Sequence, residues 1–285
     1  MSLDYPFWVN DFDRVRDHKQ NFPLASKIFE YPTAFWYGER NGKEMKALDK
    51  SLKRLFKRTS PQLPVLVCYN LPNRDIGQYS KGGAKTKDSY LNFIESFAKG
   101  IGELSPIVIF EPDALPHLGE MEKQDREYRL ELMKEGLEIF TRLSKAHVYI
   151  DIGHSNWLSP LEASGLISSV TNEYVRGFAV NVSNYRTSKE SLNWSLKVCE
   201  YNKDLYFVID TSRNGNGPHG NDWCNPPGRS LGTPPTCDTG YEKCDAFLWV
   251  KVPGESDGKS NGGPRAGRFW GEMADELVKN TSWIS

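Results

Sequence analysis

Short, unbroken apolar runs recur along the chain, and longer stretches with helical spacing separate them. The runs cover residues 32–37, 64–71, 107–110, 147–152, 175–182, 205–210 and 246–252. None approaches the length of a membrane span, and each is too uniformly apolar for a half-exposed strand, so each reads as a strand buried on both faces. Between them apolar residues recur every three or four positions. Met45, Leu48, Leu52, Leu55 and Phe56 do so within 42–58, and Leu91, Ile94, Phe97, Ala98 and Ile101 within 88–104. Further helices are predicted over 125–145, 160–170, 189–201 and 266–279. Alternation of this kind predicts an α/β fold with a parallel sheet, either closed into a barrel or open and doubly wound. The one long loop, 211–243, falls inside the alternation and marks no boundary. Residues 1–285 are therefore expected to form one domain, with an irregular segment over 1–31 packing on it.

Polar residues gather where the strands should end. Asn73-Arg74-Asp75 follow the second run, and the third runs straight into Glu111-Pro112-Asp113. Pro112 has no N–H to give to a ladder and stops it. The fourth run carries Asp151 and then His154, the fifth Asn181, Ser183 and Asn184, and the sixth Asp210 and Arg213. Lys251 is expected inside the last strand, with Glu255 and Asp257 beyond it. Both parallel architectures build their active sites at the carboxyl ends of the strands. Carboxylates at five of seven such ends, beside His, Lys and Arg, exceed what solvation of strand ends requires. A carboxyl group at the rim of an apolar strand suits general-acid work, because desolvation raises its pKa.

Composition narrows the chemistry. A net charge of −1 gives no electrostatic case for nucleic acid or an anionic membrane. No G-x-G-x-x-G follows a strand, so no dinucleotide is implied, and no C-x-x-C or paired His suggests a zinc site. Several crowded carboxylates suit glycoside hydrolysis, which needs a protonated acid at the glycosidic oxygen and a carboxylate that activates water. The same set could hold a divalent cation, which makes a metal-dependent barrel enzyme the competing class. Aromatic residues make up 12% of the chain, and Trp36, Trp157 and Trp223 fall in strand-end or loop stretches, which favours sugars.

These motifs resemble glycoside hydrolase family 6, the inverting cellulases. The resemblance runs in order from about Pro32 to Trp270. It rests on Y-N-L-P-N-R-D at 69–75, E-P-D-A-L-P at 111–116 and V-Y-I-D-I-G-H-S-N-W-L at 148–158. F-A-V-N-V-S-N-Y at 178–185, D-T-S-R-N-G-N-G at 210–217, D-W-C-N-P-P-G-R at 222–229 and W-V-K-V-P-G-E-S-D-G at 249–258 complete it. It implies a distorted TIM-like barrel of about seven parallel strands and hydrolysis of β-1,4-glucan with inversion. It matches Asp113 to the general acid, Asp75 to an aspartate that tunes the acid and relays a proton from water, and Asp257 to the aspartate proposed as base. Asp151 matches a supporting aspartate, and Tyr69 the tyrosine beside the distorted sugar. Trp36, Trp157 and Trp223 match stacking platforms, and Lys251 and Glu255 match residues that hold sugar hydroxyls. Ser80, His154, Asn181 and Asn184 are also expected to contact substrate, and Glu111 to support the rim. No cofactor or metal is expected. The implied partners are cellulose and cello-oligosaccharides, met by a secreted monomer.

Two departures stand out. Ile76 follows Asp75 where family members commonly have Cys, and no Cys lies beyond Cys244. Cys224 could pair with Cys237 or Cys244, or all could be thiols, while Cys68 and Cys199 are expected to be free and buried. The loops at 76–85 and 259–267 are short where exo-acting members carry long ones. An open cleft and internal cleavage are expected, with a cellobiohydrolase or a non-catalytic glucan-binding homologue as alternatives.

Overall fold

Seven strands form one all-parallel sheet in chain order: β1 (Phe35–Tyr37), β2 (Leu66–Cys68), β3 (Ile107–Phe110), β4 (His147–Asp151), β5 (Gly177–Val180), β6 (Tyr206–Asp210) and β7 (Cys244–Leu248). The structure is a computed structural model and describes residues 3–10, 21–38 and 47–284. The connecting helices are α1 (Leu48–Thr59), α2 (Lys87–Ile101), α3 (Lys123–Leu143), α4 (Pro160–Ser168), α5 (Ser188–Tyr201) and α6 (Gly271–Lys279). The helical stretch expected from residue 42 begins, where described, at α1; Met45 lies outside the described residues. No helix among the described residues is long and apolar enough to cross a membrane.

The apolar runs are buried on both faces, as their composition requires. Ile107 and Ile109 join Val67, Tyr149, Ala179, Val208 and Ala246 in an inner cluster. Val108 and Phe110 alternate with them and face the helices. Phe110 there meets Phe140 of α3 at 6.0 Å, and Phe140 meets Phe97 of α2 at 5.7 Å. Each fully buried Ile, Val or Phe contributes about 1.5–3 kcal/mol. The inner cluster draws on strands from both ends of the sheet, so the sheet curls on itself into a distorted barrel. β1 and β7 are its ends. The Ala34 N–H donates to the Trp249 carbonyl at 3.0 Å, and the Trp36 indole N–H to the Val250 carbonyl at 2.8 Å, across that seam.

The N-terminal segment closes the floor. The Tyr5 hydroxyl donates to the Pro64 carbonyl at 2.7 Å and accepts from the Ile107 N–H at 3.1 Å. A short 3-10 helix, Ala25–Glu30, packs Ala25 and Ile28 against Ala274, Leu277 and Val278 of α6.

Two elements differ from expectation. β7 ends at Leu248, so Lys251 lies beyond the strand, not inside it. Past Leu248 the backbone leaves the ladder: the N–H groups of Val250 and Lys251 turn to the Asp210 carboxylate, and the Trp249 carbonyl turns to Ala34. The closing helix begins at Gly271 rather than 266, because Phe269 is bridged antiparallel to Glu255 and the Trp270 N–H donates to the Gly254 carbonyl.

Candidate active site

The strand ends carry two kinds of carboxylate. Glu111, Asp151 and Asp210 are essentially fully buried and accept from backbone N–H groups, Asp151 through Oδ2 alone. Glu111, just past β3, accepts from Asn70 and Leu71 at 3.0 Å each, past the end of β2. Asp151, the last residue of β4, accepts from Asp113 at 2.7 Å and Gly153 at 3.3 Å. Asp210, the last of β6, accepts from Ser183 at 2.9 Å and from Ser212 and Lys251 at 3.0 Å. Each staples its strand end to a neighbouring one. They hold backbone that would otherwise be unfavourable: φ is 47° at Glu111, 64° at Asp113, 67° at Asn181 and 57° at Ser183. Left-handed geometry costs roughly 1–2 kcal/mol per non-glycine residue, which these bonds offset. Burial pushes the Glu111 carboxyl up to about 7, against the pull of its two N–H donors.

Asp75, Asp113 and Asp257 instead line a cleft of about 660 Å³ at the carboxyl ends of the strands. Burial raises the Asp113 carboxyl well above its ordinary value, and the negative charges of Asp151 and Asp75 raise it further. Asp257 is treated oppositely. Burial alone would raise it, but Arg213 at 2.9 Å and Lys251 at 3.2 Å pull it below the ordinary carboxylate range. The Tyr185 hydroxyl and the Asn225 N–H also donate to Asp257, each at 3.1 Å. Arg213 is itself fully buried, lies over the Tyr185 ring at 4.4 Å and donates to the Ser183 carbonyl. Asp75 accepts from the Ser80 N–H at 2.6 Å and sits 3.9 Å from the His117 Nε2.

Around these acids the cleft gathers rings and polar side chains. Tyr69 meets Trp36 edge-on at 5.4 Å and is covered by the Arg74 guanidinium at 4.3 Å. Arg74 also donates to the carbonyls of Tyr69 and Ser80, which pins the turn carrying Asp75. Trp157 stands against the His117 ring at 4.8 Å and the His154 ring at 5.7 Å. Gly153, at φ 75°, permits this packing, since a Cβ there would fall 2.8 Å from Pro116. Burial, with Arg186 nearby, lowers His154 to about 4, so it is neutral near pH 7. Its Nδ1 accepts from the Asn156 N–H, leaving the proton on Nε2.

Of the residues singled out in the sequence, Tyr69, Asp75, Ser80, Asp113, Trp36, His154, Trp157, Asn184, Trp223, Lys251, Glu255 and Asp257 all line the cleft. Asn181 does not. It is fully buried, its amide donates to the carbonyls of Arg186 and Asp210, and its oxygen accepts from the Arg186 N–H, so it closes the turn after β5. Asp151 reaches the cleft only through the Asp113 backbone. His117 and Tyr185 were not singled out, although His117 stands four residues after Asp113 and Tyr185 within the 178–185 motif. All five cysteines are free thiols, and Cys68 and Cys199 are buried. The short loops at 76–85 and 259–267 meet at the rim, where the Tyr79 hydroxyl lies 2.9 Å from the Ser260 Oγ and the Tyr79 ring lies against Gly258. Among the described residues no group of three His, Cys, Asp or Glu is placed to hold a metal ion.

The family model for glycosyl hydrolases family 6 matches residues 9–281. Endoglucanase A of Cellulomonas fimi is 40% identical over 263 residues, which are 91% of this chain and 57% of that protein. Endoglucanase 1 of Streptomyces sp. (strain KSM-9) is 38% identical over 85% of this chain and 68% of its own length. The chain thus spans a little over half of the first relative and about two thirds of the second. An endoglucanase of Mycobacterium tuberculosis, solved in complex with methyl-cellobiosyl-4-deoxy-4-thio-beta-D-cellobioside, superposes with a TM-score of 0.91 at 34% identity and 97% coverage of both chains.

Proposed function

The chain belongs to family 6 of the glycosyl hydrolases, and from that premise we propose that it hydrolyses internal β-1,4-glucosidic bonds of cellulose and related glucans with inversion. The observation that carries this reading is the opposed treatment of Asp113 and Asp257 within one cleft. Inversion needs one carboxyl that is protonated and another that is ionised, with water attacking from the far face of the sugar.

In this reading Asp113 gives its proton to the leaving 4-oxygen as the bond from C1 to that oxygen breaks. A water oxygen bonds to C1 and must lose a proton. Asp257 is a poor direct acceptor, because two cations and two further donors already hold its charge. Ionised Asp257 instead accepts a hydrogen bond from that water and orients it toward C1. The water proton passes to Asp75 and from there back to Asp113, whose pKa Asp75 already influences. Asp151 positions Asp113 through its backbone N–H. Trp36, Trp157 and Trp223 present ring faces to the sugars, and Ser80, His154, Asn184, Lys251 and Glu255 bond their hydroxyls. The chain acts as a monomer outside the cell.

Internal cleavage requires that a chain enter sideways. The hydrogen bond between the rim loops, Tyr79 to Ser260, is exposed and is worth about 0.5–1.5 kcal/mol net. The test compares viscosity loss with reducing-end release on a soluble cellulose derivative. Viscosity should fall far faster than reducing ends accumulate; parallel changes would sink the endo reading.

A further inference from the structure

Behind one wall of the cleft lies a second concave surface. Arg186 lines the cleft, while Thr187 and Ser188 line a separate groove of about 440 Å³. Segments 214–216, 230–234 and 280–283 form its remaining walls. No side chain lining the groove carries a charge, whereas Asp, Glu, His, Lys and Arg line the cleft. The groove has hydroxyls, amides and backbone groups, and one large ring, Trp283, which is 41% exposed.

This lining selects its ligand. An ionic ligand would find no counter-charge, whereas a hydroxylated one can donate to the oxygens of the wall's amides and hydroxyls. A pyranose meets both demands: its C–H face packs on the electron-rich face of an indole, and its hydroxyls bond the polar wall. The walls are already in place. The Leu231 N–H donates to the Thr281 hydroxyl at 2.9 Å and the Gly232 N–H to the Thr211 carbonyl at 3.0 Å. The Asn214 amide bridges the Arg186 carbonyl at 3.0 Å and the Ser188 hydroxyl at 3.1 Å. A Cβ on Gly232 would fall 1.9 Å from the Asn214 Oδ1, so the floor there is bare backbone. Tyr31 braces Trp283 edge-on at 5.6 Å. A groove fixed in advance loses little entropy on binding.

We propose that this groove is a non-catalytic binding site for a neutral glycan, and specifically for a segment of β-1,4-glucan. The preference for a neutral sugar comes from the groove; the choice of glucan rests on the cellulase reading. A chain held there is confined next to the cleft, which raises its effective concentration at the acids.

The test is affinity electrophoresis in gels containing hydroxyethylcellulose, run beside turnover of soluble cellotetraose. The protein is made in a host that does not N-glycosylate, since the sequon Asn280-Thr281-Ser282 lies in the groove wall. Trp283→Ala should weaken retardation at least fivefold and leave cellotetraose turnover within twofold of the parent. Ser282→Lys, at an exposed position, should do the same by filling the groove with a charged chain, and serves if Trp283→Ala does not fold. Unchanged retardation in the folded variants, with cellotetraose still cleaved, overturns the groove proposal alone. Trp283-dependent retardation by a parent protein that does not cleave cellotetraose supports the groove and overturns the cellulase reading.

Discussion

On the arc of the cleft formed by β3 and β4, Asp113 has carboxylates for neighbours; on the arc formed by β6 and β7, Asp257 has Arg213 and Lys251. Both side chains lie in the same cleft, and burial acts on both in the same direction. The sign of the adjacent charge, with the hydrogen bonds that Asp257 accepts from Tyr185 and Asn225, decides which one keeps a proton. Two identical residues thereby acquire the complementary protonation states that inversion requires.

Removing the proton donor should give the largest effect. Asp113→Asn should lower kcat about 10²–10⁴-fold, the usual contribution of a general acid. Cello-oligosaccharide binding, followed by calorimetry, should persist; activity within tenfold of the parent would remove Asp113 from the role. Next comes the cationic arc. Arg213→Met leaves Asp257 buried with Lys251 as its remaining cation, and breaking a buried pair costs roughly 3–5 kcal/mol, measurable by denaturant unfolding. The sign follows from the lowered carboxyl. Asp257 adds stability above its unfolded pKa and loses it as pH falls through its folded one, so the variant should lose most near neutrality and least in acid. A uniform loss at all pH values would show that packing, not charge, is at stake.

Asp151→Asn separates charge from position on the other arc. The amide oxygen can still accept from the Asp113 N–H, but a neighbour that burial holds at about 7, and that is negative above it, is gone. Asp113 must be protonated to act, so activity falls as pH rises through its raised pKa. In the variant that alkaline limb should move down, with the optimum rate changed less than tenfold. An unmoved limb would mean that desolvation alone sets the acid. The smallest effect is expected where the rim loops meet. Tyr79→Phe removes one exposed hydrogen bond of about 0.5–1.5 kcal/mol. It should raise the ratio of viscosity loss to reducing ends less than twofold; a large change would make that contact a real roof.

Carboxylates crowd the strand ends in the sequence, yet their division of labour is invisible there. Glu111 and Asp113 are two residues apart and both carboxylic, but one caps the backbone of β2 and the other faces the cleft. Asn181 and Asn184 are equally alike on paper; the first closes a turn and only the second reaches the cleft. What decides is where each Cβ points on a left-handed turn, and that depends on φ values held by partners on another strand. The family motifs could carry Asp113 and Asp257 to their places, because a motif preserves a whole local geometry. They could not report that Arg213, just past the end of β6, enters the core to pair with Asp257.

By itself the sequence determined the number of strands, the parallel sheet and the face on which chemistry collects. Those follow from short-range rules: apolar runs must be buried, helices must cover them, and strand carboxyl ends share one side. Tertiary structure alone decided the ends of β7 and α6, the free state of Cys224, Cys237 and Cys244, the staples made by Glu111, Asp151 and Asp210, and the uncharged groove beside Trp283. Each of these depends on groups far apart in the chain. A hydrogen bond from Lys251 to Asp210, or a charge from Arg213 on Asp257, exists only after the sheet has curled and brought them together.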